Sequence, residues 1–130
     1  TAFTLSSADG CELYIKRRNS FRDNDERFVI DTETVDWMSF PHRGADVVHL
    51  YRDQHGIDTS RFGEVHPKVN IPSHDHAMGE ETLIIEGELK DERDTYGPGC
   101  WFRFPVGVPH APYTEDKSCF MLIREGDLVW

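Results

Sequence analysis

The chain has 130 residues, of which 38% are apolar, and this size and composition favour one domain with a single core. Its 24 acidic and 14 basic residues give a formal net charge of -10, so most of its surface would repel nucleic acid and anionic membranes. No apolar run approaches the roughly 20 residues of a membrane span, and we expect a cytoplasmic protein.

Short runs of β-branched, aliphatic and aromatic residues recur along the chain, with glycine and proline concentrated between them. These runs predict eight strands: Glu12–Ile15, Phe28–Ile30, Val47–Tyr51, Arg61–Val65, Thr82–Glu86, Trp101–Phe104, Cys119–Arg124 and Asp127–Val129. Almost nothing in the sequence indicates a helix. Strands at this spacing predict an all-β fold of the sandwich or barrel type.

The N-terminal part of the chain is predicted to be a strand arm that is separate from the main body. The segment Ser20–Glu26 is polar and charged, as expected of a surface loop or joint. We therefore divide the chain into an arm and loop, residues 1–26, and a single domain, residues 27–130. The arm and the apolar C-terminal sequence Asp127–Trp130 offer pairing surfaces for a second chain, so a homodimer is expected, with a monomer as the alternative.

Three cysteines, Cys11, Cys100 and Cys119, are widely spaced and odd in number. This pattern fits neither a disulfide framework nor a zinc module built on paired cysteines. All three are predicted to be free thiols that are buried or half-buried.

Two histidines lie close together just before the predicted strand Thr82–Glu86. On a strand, residues two apart leave the same face with backbones about 6.8 Å apart, so the imidazoles of His74 and His76 can turn toward one ion. Two surface histidines that bind no metal would show the same spacing if they lay on an exposed strand. The pair alone is therefore weak support for a metal site.

Two further residues strengthen the metal hypothesis. Glu80 is the fourth residue after His76, and His110 lies in a later segment that another strand could return to the same pocket. Three nitrogens and one carboxylate oxygen suit Fe(II), Mn, Ni, Zn or Cu rather than Ca or Mg. The alternative is a set of ordinary polar residues on loops. Four other histidines are expected to be surface or structural residues, with His49 or His66 at the barrel mouth as the alternative: His42, His49, His55 and His66.

The stretch from Pro67 to Pro112 resembles the two sequence motifs of the cupin superfamily, and more closely the cupin domain of ChrR-type anti-sigma factors. The residues that match the motifs are His74, Asp75, His76, Glu80 and Gly87 in the first, and Gly99, Pro105, Val106, Gly107 and His110 in the second. The resemblance implies a double-stranded β-helix, or jelly-roll barrel. It also implies one divalent transition metal per chain (Fe, Zn, Mn, Ni or Cu), with four ligands: His74, His76, Glu80 and His110.

Two departures from these motifs concern turns. Lys68 stands where the first motif usually opens with glycine, and Thr114 stands where the second usually closes with asparagine. Neither position is that of a metal ligand. We therefore expect an effect on local turn geometry and a preserved metal site.

A metal held by three histidines and one glutamate keeps one or two coordination positions open for water, dioxygen or a small ligand. The resemblance implies a dioxygenase-like oxidoreductase that acts on a small diketone or enol substrate, with Glu80 as a ligand and as a base when it detaches. One alternative is a stand-alone ligand or redox sensor without catalysis. Another is a barrel whose metal is structural.

Four side chains are candidates for the wall of a substrate pocket beside the metal: Arg103, Tyr113, Trp101 and Met121. For the aromatic residues, packing in the core is the more common role. Arg103 could hold a carboxylate or enolate if it faced the cavity. By strand alternation it shares a face with Trp101, and the sequence leaves open whether that face is the inner one.

Overall fold

Eight short strands define the architecture of the residues that the computed structural model describes, 4–16 and 28–126. They are β1, Met38–Phe40; β2, Ala45–Arg52; β3, Thr59–Val65; β4, Glu80–Gly87; β5, Leu89–Lys90; β6, Thr95–Tyr96; β7, Trp101–Phe104; and β8, Cys119–Glu125. Six form one antiparallel sheet in the order β1-β2-β3-β8-β4-β7, and β5 pairs with β6. The helical element within the described ranges is a 3₁₀ turn, Pro41–Arg43, and none there is long and apolar enough to cross a membrane. The predicted all-β fold is confirmed.

The core lies on one face of the central strands because apolar side chains alternate along them. Cys119 and Met121 of β8 are buried and pack with Val65 of β3, Ile84 of β4 and Leu89 of β5. Strand β8 pairs with β3 on one side and β4 on the other, so its inward side chains sit at the centre of this face. The face forms the inner wall of a barrel.

Bridged loop segments build the opposite wall. The segment before β4 runs antiparallel to the segment before β8, and the two exchange hydrogen bonds at His74 and His110, with N–H to carbonyl distances of 3.0 and 2.9 Å. Tyr113 and Lys90 exchange a second pair, at 2.7 and 2.9 Å, which connects these segments to β5. The barrel interior therefore lies between the six-stranded sheet and the bridged segments.

Five of the predicted strands are confirmed. They lie within β2, β3, β4, β7 and β8, and are Val47–Tyr51, Arg61–Val65, Thr82–Glu86, Trp101–Phe104 and Cys119–Arg124. Two observed features were not predicted from the sequence: the edge strand β1 and the short hairpin of β5 and β6. Both are made of strands of two or three residues, which carry too little periodicity to be recognised.

Two predicted strands are wrong. Glu12–Ile15 and Phe28–Ile30 belong to the described residues and form no strand there, so the described part of the arm is not a strand arm. The side chains of Leu13, Ile15 and Val29 are more than half exposed. A run of β-forming residues becomes a strand only where it finds a partner and an apolar surface to cover.

Three regions lie outside the described residues: 1–3, 17–27 and 127–130. The predicted strand Asp127–Val129 and the predicted joint Ser20–Glu26 fall in the last two of these. The division of the chain into residues 1–26 and 27–130 therefore stays a prediction.

The two departures from the cupin motifs are accommodated in neighbouring turns. Lys68 has a φ of 61°, a left-handed conformation that favours glycine, and its N–H donates to the Glu115 carbonyl at 2.7 Å. The Thr114 hydroxyl donates to the His66 carbonyl at 2.5 Å and accepts from the Val69 N–H at 3.1 Å. The turn keeps a glycine-like backbone although a lysine occupies it.

The three cysteines are free, but the prediction that all are at least half-buried is wrong for two of them. Cys11 and Cys100 are exposed, and Cys119 is buried with 0% of its surface accessible. Cys100 follows a turn closed by its own N–H and the Gly97 carbonyl, and a turn lies at the surface. Only Cys119 has the packed environment expected from its position in a core strand.

Cys119 is expected to resist thiol reagents in the folded protein. Burial raises the pKa of its thiol to about 12, so at pH 8 a fraction on the order of 10⁻⁴ is thiolate. With a disulfide reagent at pH 8, we expect two fast thiols per chain and a third that reacts only in denaturant. Cys119→Ala should remove the slow thiol and keep both fast ones. Three fast thiols in native wild-type protein would contradict the buried assignment.

Candidate metal centre

Backbone pairing brings three histidines together inside the barrel. His74 and His110 are direct antiparallel partners, and His76 follows in the same segment as His74. The His76 carbonyl accepts hydrogen bonds from the N–H groups of Gly79 (3.1 Å) and Gly107 (3.4 Å), which ties its loop to the one that precedes His110. The protein backbone therefore sets the positions of the three rings.

The ligand atoms of the three histidines lie within 4.8 Å of one another. The Nε2 atoms of His76 and His110 are 3.0 Å apart, and the ring centroids of the three pairs are 4.5 to 5.2 Å apart. His74 and His76 do not share a regular strand, as their spacing suggested, because their segment is an isolated bridge followed by a turn. The structure nevertheless brings together the three histidines that the sequence singled out.

Glu80, at the first position of β4, reaches this group through His76. Its Oε2 atom is 3.2 Å from Nε2 of His76, and its Oε1 atom accepts a hydrogen bond from the Thr82 hydroxyl at 3.1 Å. The residue is 6% exposed. Burial raises the pKa of this carboxyl, and the charge of His76 lowers it in part.

A second carboxylate, Glu125, approaches the other edge of the same imidazole. Glu125 closes β8 directly opposite Glu80 in the ladder, and its Oε1 atom is 3.2 Å from Nδ1 of His76 and 2.6 Å from Nη2 of Arg61. His76, Glu80 and Glu125 form a second group whose ligand atoms lie within 4.8 Å of one another. Sequence reasoning missed Glu125, although it continues the inward series of Cys119, Met121 and Ile123 at a spacing of two.

The two carboxylates and the crowded rings shift the pKa values of the histidines in opposite directions. Burial and the neighbouring imidazoles of His74 and His76 lower the pKa of His110 to about 4. Burial also lowers the pKa of His76, but its hydrogen bond to Glu125 and the charges of Glu80 and Glu125 outweigh that effect and raise it. At neutral pH, His110 is therefore a neutral imidazole with a lone pair available for a metal ion.

The spacing of these atoms fits a transition-metal ion. Two ligands bound to one ion at about 2.1 Å lie about 3.0 to 3.4 Å from each other, depending on the coordination angle. The distances from Nε2 of His76 to Nε2 of His110 and to Oε2 of Glu80, 3.0 and 3.2 Å, fall in this range. The three histidines, whose ligand atoms form one group, therefore fit the borderline ions that imidazole ligands favour. Among the described residues, Glu80 is grouped with His76 and Glu125, and not with His74 and His110.

The group opens into a cavity of about 550 Å³. Its walls are largely apolar and include Val65, Ile71, Leu89, Met121 and Ile123. Arg61 also lines the cavity and supplies a cation that the sequence did not single out. A cavity of this size and lining suits a small ligand with apolar substituents and a few polar atoms directed at the histidine group.

Of the four predicted pocket residues, Met121 lines this cavity. The described residues that form its walls do not include Arg103, Trp101 or Tyr113. Arg103 and Trp101 pair with Glu81 and Leu83, which face away from the interior, and Trp101 lines a groove on the outer face. In the segment that contains Tyr113, the preceding residue, Pro112, lines the cavity instead. The face shared by Arg103 and Trp101 is therefore the outer one.

Comparisons with known proteins agree with this architecture. The sequence model of the ChrR cupin-like domain matches residues 25–129. No curated protein matches the chain. The crystal structure of Rhodobacter sphaeroides SigE in complex with the anti-sigma factor ChrR contains a chain that is 25% identical, with a TM-score of 0.62; the match covers 73% of this chain and 50% of that one. This chain thus spans half the length of that relative.

Two further crystal structures share the fold alone. A protein with a cupin-like fold from Ralstonia eutropha is 18% identical, with a TM-score of 0.70 over 80% of this chain and 70% of that one. A candidate acetylacetone dioxygenase from Methylibium petroleiphilum PM1 is 14% identical, with a TM-score of 0.70 over 82% of each chain. The described residues therefore have a cupin-like fold.

Proposed function

The chain belongs to the family of ChrR cupin-like domains, and from this premise we propose that it binds one divalent transition metal and a small molecule at that metal. The proposed ligands are His74, His76, His110 and Glu80. The observation that carries the proposal is the convergence of the three imidazoles from two separate segments, with Nε2 of His76 lying 3.0 Å from Nε2 of His110 and 3.2 Å from Oε2 of Glu80.

Burial of the group also favours an ion. His110 and Glu80 are 4% and 6% exposed, so their polar atoms have lost most of their contact with water. A buried carboxylate and a cluster of imidazole lone pairs cost free energy unless a charge or donors compensate them. A divalent cation would compensate both at once, which supports a metal role over a set of ordinary loop residues.

We further propose dioxygenase-like oxidation of a small carbonyl or enol compound, at Fe or another redox metal. A bound redox metal would supply the electron-transfer chemistry with dioxygen at an open coordination position. The apolar walls would exclude water and hold the substrate's alkyl parts. Glu80 would accept a substrate proton when it detaches from the metal. It lines the same cavity, and Thr82 holds only its Oε1 atom, which supports this role.

The second candidate function is a ligand or redox sensor without turnover. It is favoured by the family itself, because the related ChrR is an anti-sigma factor seen in complex with SigE. In that case the same cavity would bind a small molecule, and the response would be conformational. Binding without consumption of dioxygen separates this function from the enzyme.

The test begins with protein purified without a metal-affinity tag, whose metal content is measured by elemental analysis. Apoprotein is then loaded anaerobically with Fe(II), and oxygen uptake is recorded across a panel of small β-diketones, hydroxyketones and keto acids. His110→Ala serves as the site variant, and His49→Ala, a change at an exposed histidine of β2, serves as the matched control.

Metal-dependent oxygen uptake that His110→Ala loses and His49→Ala keeps would support the enzyme. A panel compound that raises the melting temperature of the loaded protein without oxygen uptake would support the sensor. Failure of wild-type protein to bind any of Fe, Zn, Mn, Ni or Cu would overturn the proposed function.

The homodimer is a separate proposal. Strand β1 lies at an edge of the sheet, and its Met38 and the preceding Trp37 are 43% and 41% exposed. An edge strand with exposed apolar side chains is a natural pairing surface. We expect light scattering after size-exclusion chromatography to give twice the chain mass at micromolar concentration, and Trp37→Lys to shift it toward the monomer. A monomeric wild-type mass would contradict the proposal.

A further inference from the structure

The imidazole of His76 contacts different groups at its two nitrogens. Its Nε2 atom faces His110 and Glu80, at 3.0 and 3.2 Å, which are proposed ligands of the same ion. Its Nδ1 atom faces Oε1 of Glu125 at 3.2 Å, within hydrogen-bond reach. The ring therefore has one edge available to a metal and the other engaged with a carboxylate.

Glu125 is itself held in place. Its Oε1 atom also accepts a hydrogen bond from Nη2 of Arg61 at 2.6 Å, so a single oxygen bridges the guanidinium and the imidazole. The next residue, Gly126, has a φ of 100°, and a Cβ there would lie 1.8 Å from the Ile57 carbonyl oxygen. The backbone at the end of β8 is thus closely packed, and the contacts of Oε1 with Arg61 and His76 hold the carboxylate.

His74 shows the same division of its two nitrogens. Its Nδ1 atom is 2.9 Å from the Pro72 carbonyl oxygen, which can only accept a hydrogen bond. The proton of a neutral His74 ring therefore lies on Nδ1, and the lone pair lies on Nε2. In two of the three rings, an oxygen acceptor at Nδ1 selects Nε2 as the metal-binding atom.

We propose that Glu125 is a positioning residue of the metal centre: it accepts a hydrogen bond from the Nδ1–H group of His76 and, anchored by Arg61, orients the ring so that Nε2 points at the ion. This inference rests on the proposed metal site. It assigns Glu125 outside the set of ligands, although its oxygen lies close enough to His76 and Glu80 to be mistaken for one. Carboxylates in this role fix the ring tautomer and raise the basicity of the ligating nitrogen.

The test uses Co(II) as the probe, because its visible absorption reports coordination number while a competing chelator reports affinity. The variants are Glu125→Ala, which removes the acceptor, and Glu125→Gln, which keeps an acceptor oxygen without the charge. Glu86→Gln, at an exposed position of β4, is the matched control, and circular dichroism of each apoprotein checks the fold.

We expect Glu125→Ala to weaken Co(II) binding by about 10- to 100-fold with one ion per chain and an unchanged absorption spectrum. Glu125→Gln should lose less Co(II) affinity than Glu125→Ala, and Glu86→Gln should bind Co(II) as tightly as wild type does. Unchanged affinity in Glu125→Ala would overturn the inference while leaving the metal site intact. A spectrum that reports one ligand fewer would overturn it in favour of direct ligation, and a wild-type protein that binds no Co(II) would overturn the metal site itself.

Discussion

Replacing His110 with alanine is expected to lower the affinity for Zn(II) by more than about a hundredfold. Loss of a residue that only supports a metal ligand typically costs 10- to 100-fold, and loss of a ligand should cost more. His110 is the one proposed ligand that lies beyond β4 in the chain, so no neighbour in its own segment can replace it. Its ring is 4% exposed and packs on Phe104 with centroids 4.0 Å apart, which fixes its direction.

The affinity would be measured by competition with a chromophoric chelator at pH 7.5. His49→Ala is the control, because His49 is an exposed histidine on the same sheet and lies outside the metal group. The backbone exchange between His74 and His110 does not depend on the side chain, so the variant should stay folded without metal. An affinity within a fewfold of wild type would remove His110 from the ligand set.

Gly87→Ala is expected to destabilise the protein strongly, by roughly 2 to 5 kcal/mol in the free energy of unfolding. Gly87 ends β4 with a φ of +79°, where an L side chain is strained. A Cβ there would also lie 1.9 Å from the Ser118 carbonyl oxygen, which belongs to the backbone and cannot rotate away. Such a loss is a large part of the 5 to 15 kcal/mol typical of a folded domain.

Gly99→Ala separates the two causes. Gly99 has a similar φ, +82°, but a Cβ at that position meets nothing within 4 Å. Gly99→Ala should therefore lower the free energy of unfolding only by the cost of the left-handed conformation, about 1 to 2 kcal/mol. Urea titrations followed by tryptophan fluorescence would compare the two variants. Equal decreases in the free energy of unfolding would show that the backbone at Ser118 can move away from a Cβ at residue 87 more easily than the structure indicates.

The sequence predicted the convergence of the three histidines better than it predicted their surroundings, and their role as metal ligands stays a proposal. His74, His76, Glu80 and His110 could be found because their spacing matches two motifs. Glu125 could be placed on the inner face by its spacing from Met121 and Ile123, but its position opposite Glu80 could not be predicted. Which carboxylates meet is decided by strand register, and register depends on pairing between distant segments.

The same limit applies to the faces of strands and to the ends of the chain. Alternation places Arg103 and Trp101 together but does not say which face is the inner one; their pairing with Glu81 and Leu83 decides it. The predicted strand Glu12–Ile15 failed for a related reason, since its composition favours a strand but it pairs with no strand among the described residues. Local patterns thus predicted the elements, and long-range contacts determined their roles.

The backbone exchange between His74 and His110 has a consequence for how the proposed ion would be taken up. In small zinc modules the apoprotein is unfolded, and metal uptake must order the chain. Here two main-chain bonds hold the rings in register before any ion arrives, so little chain entropy is lost on loading. Metal uptake and release should therefore occur at a preorganised site. A strong chelator should yield a folded apoprotein that binds metal again, instead of an unfolded chain.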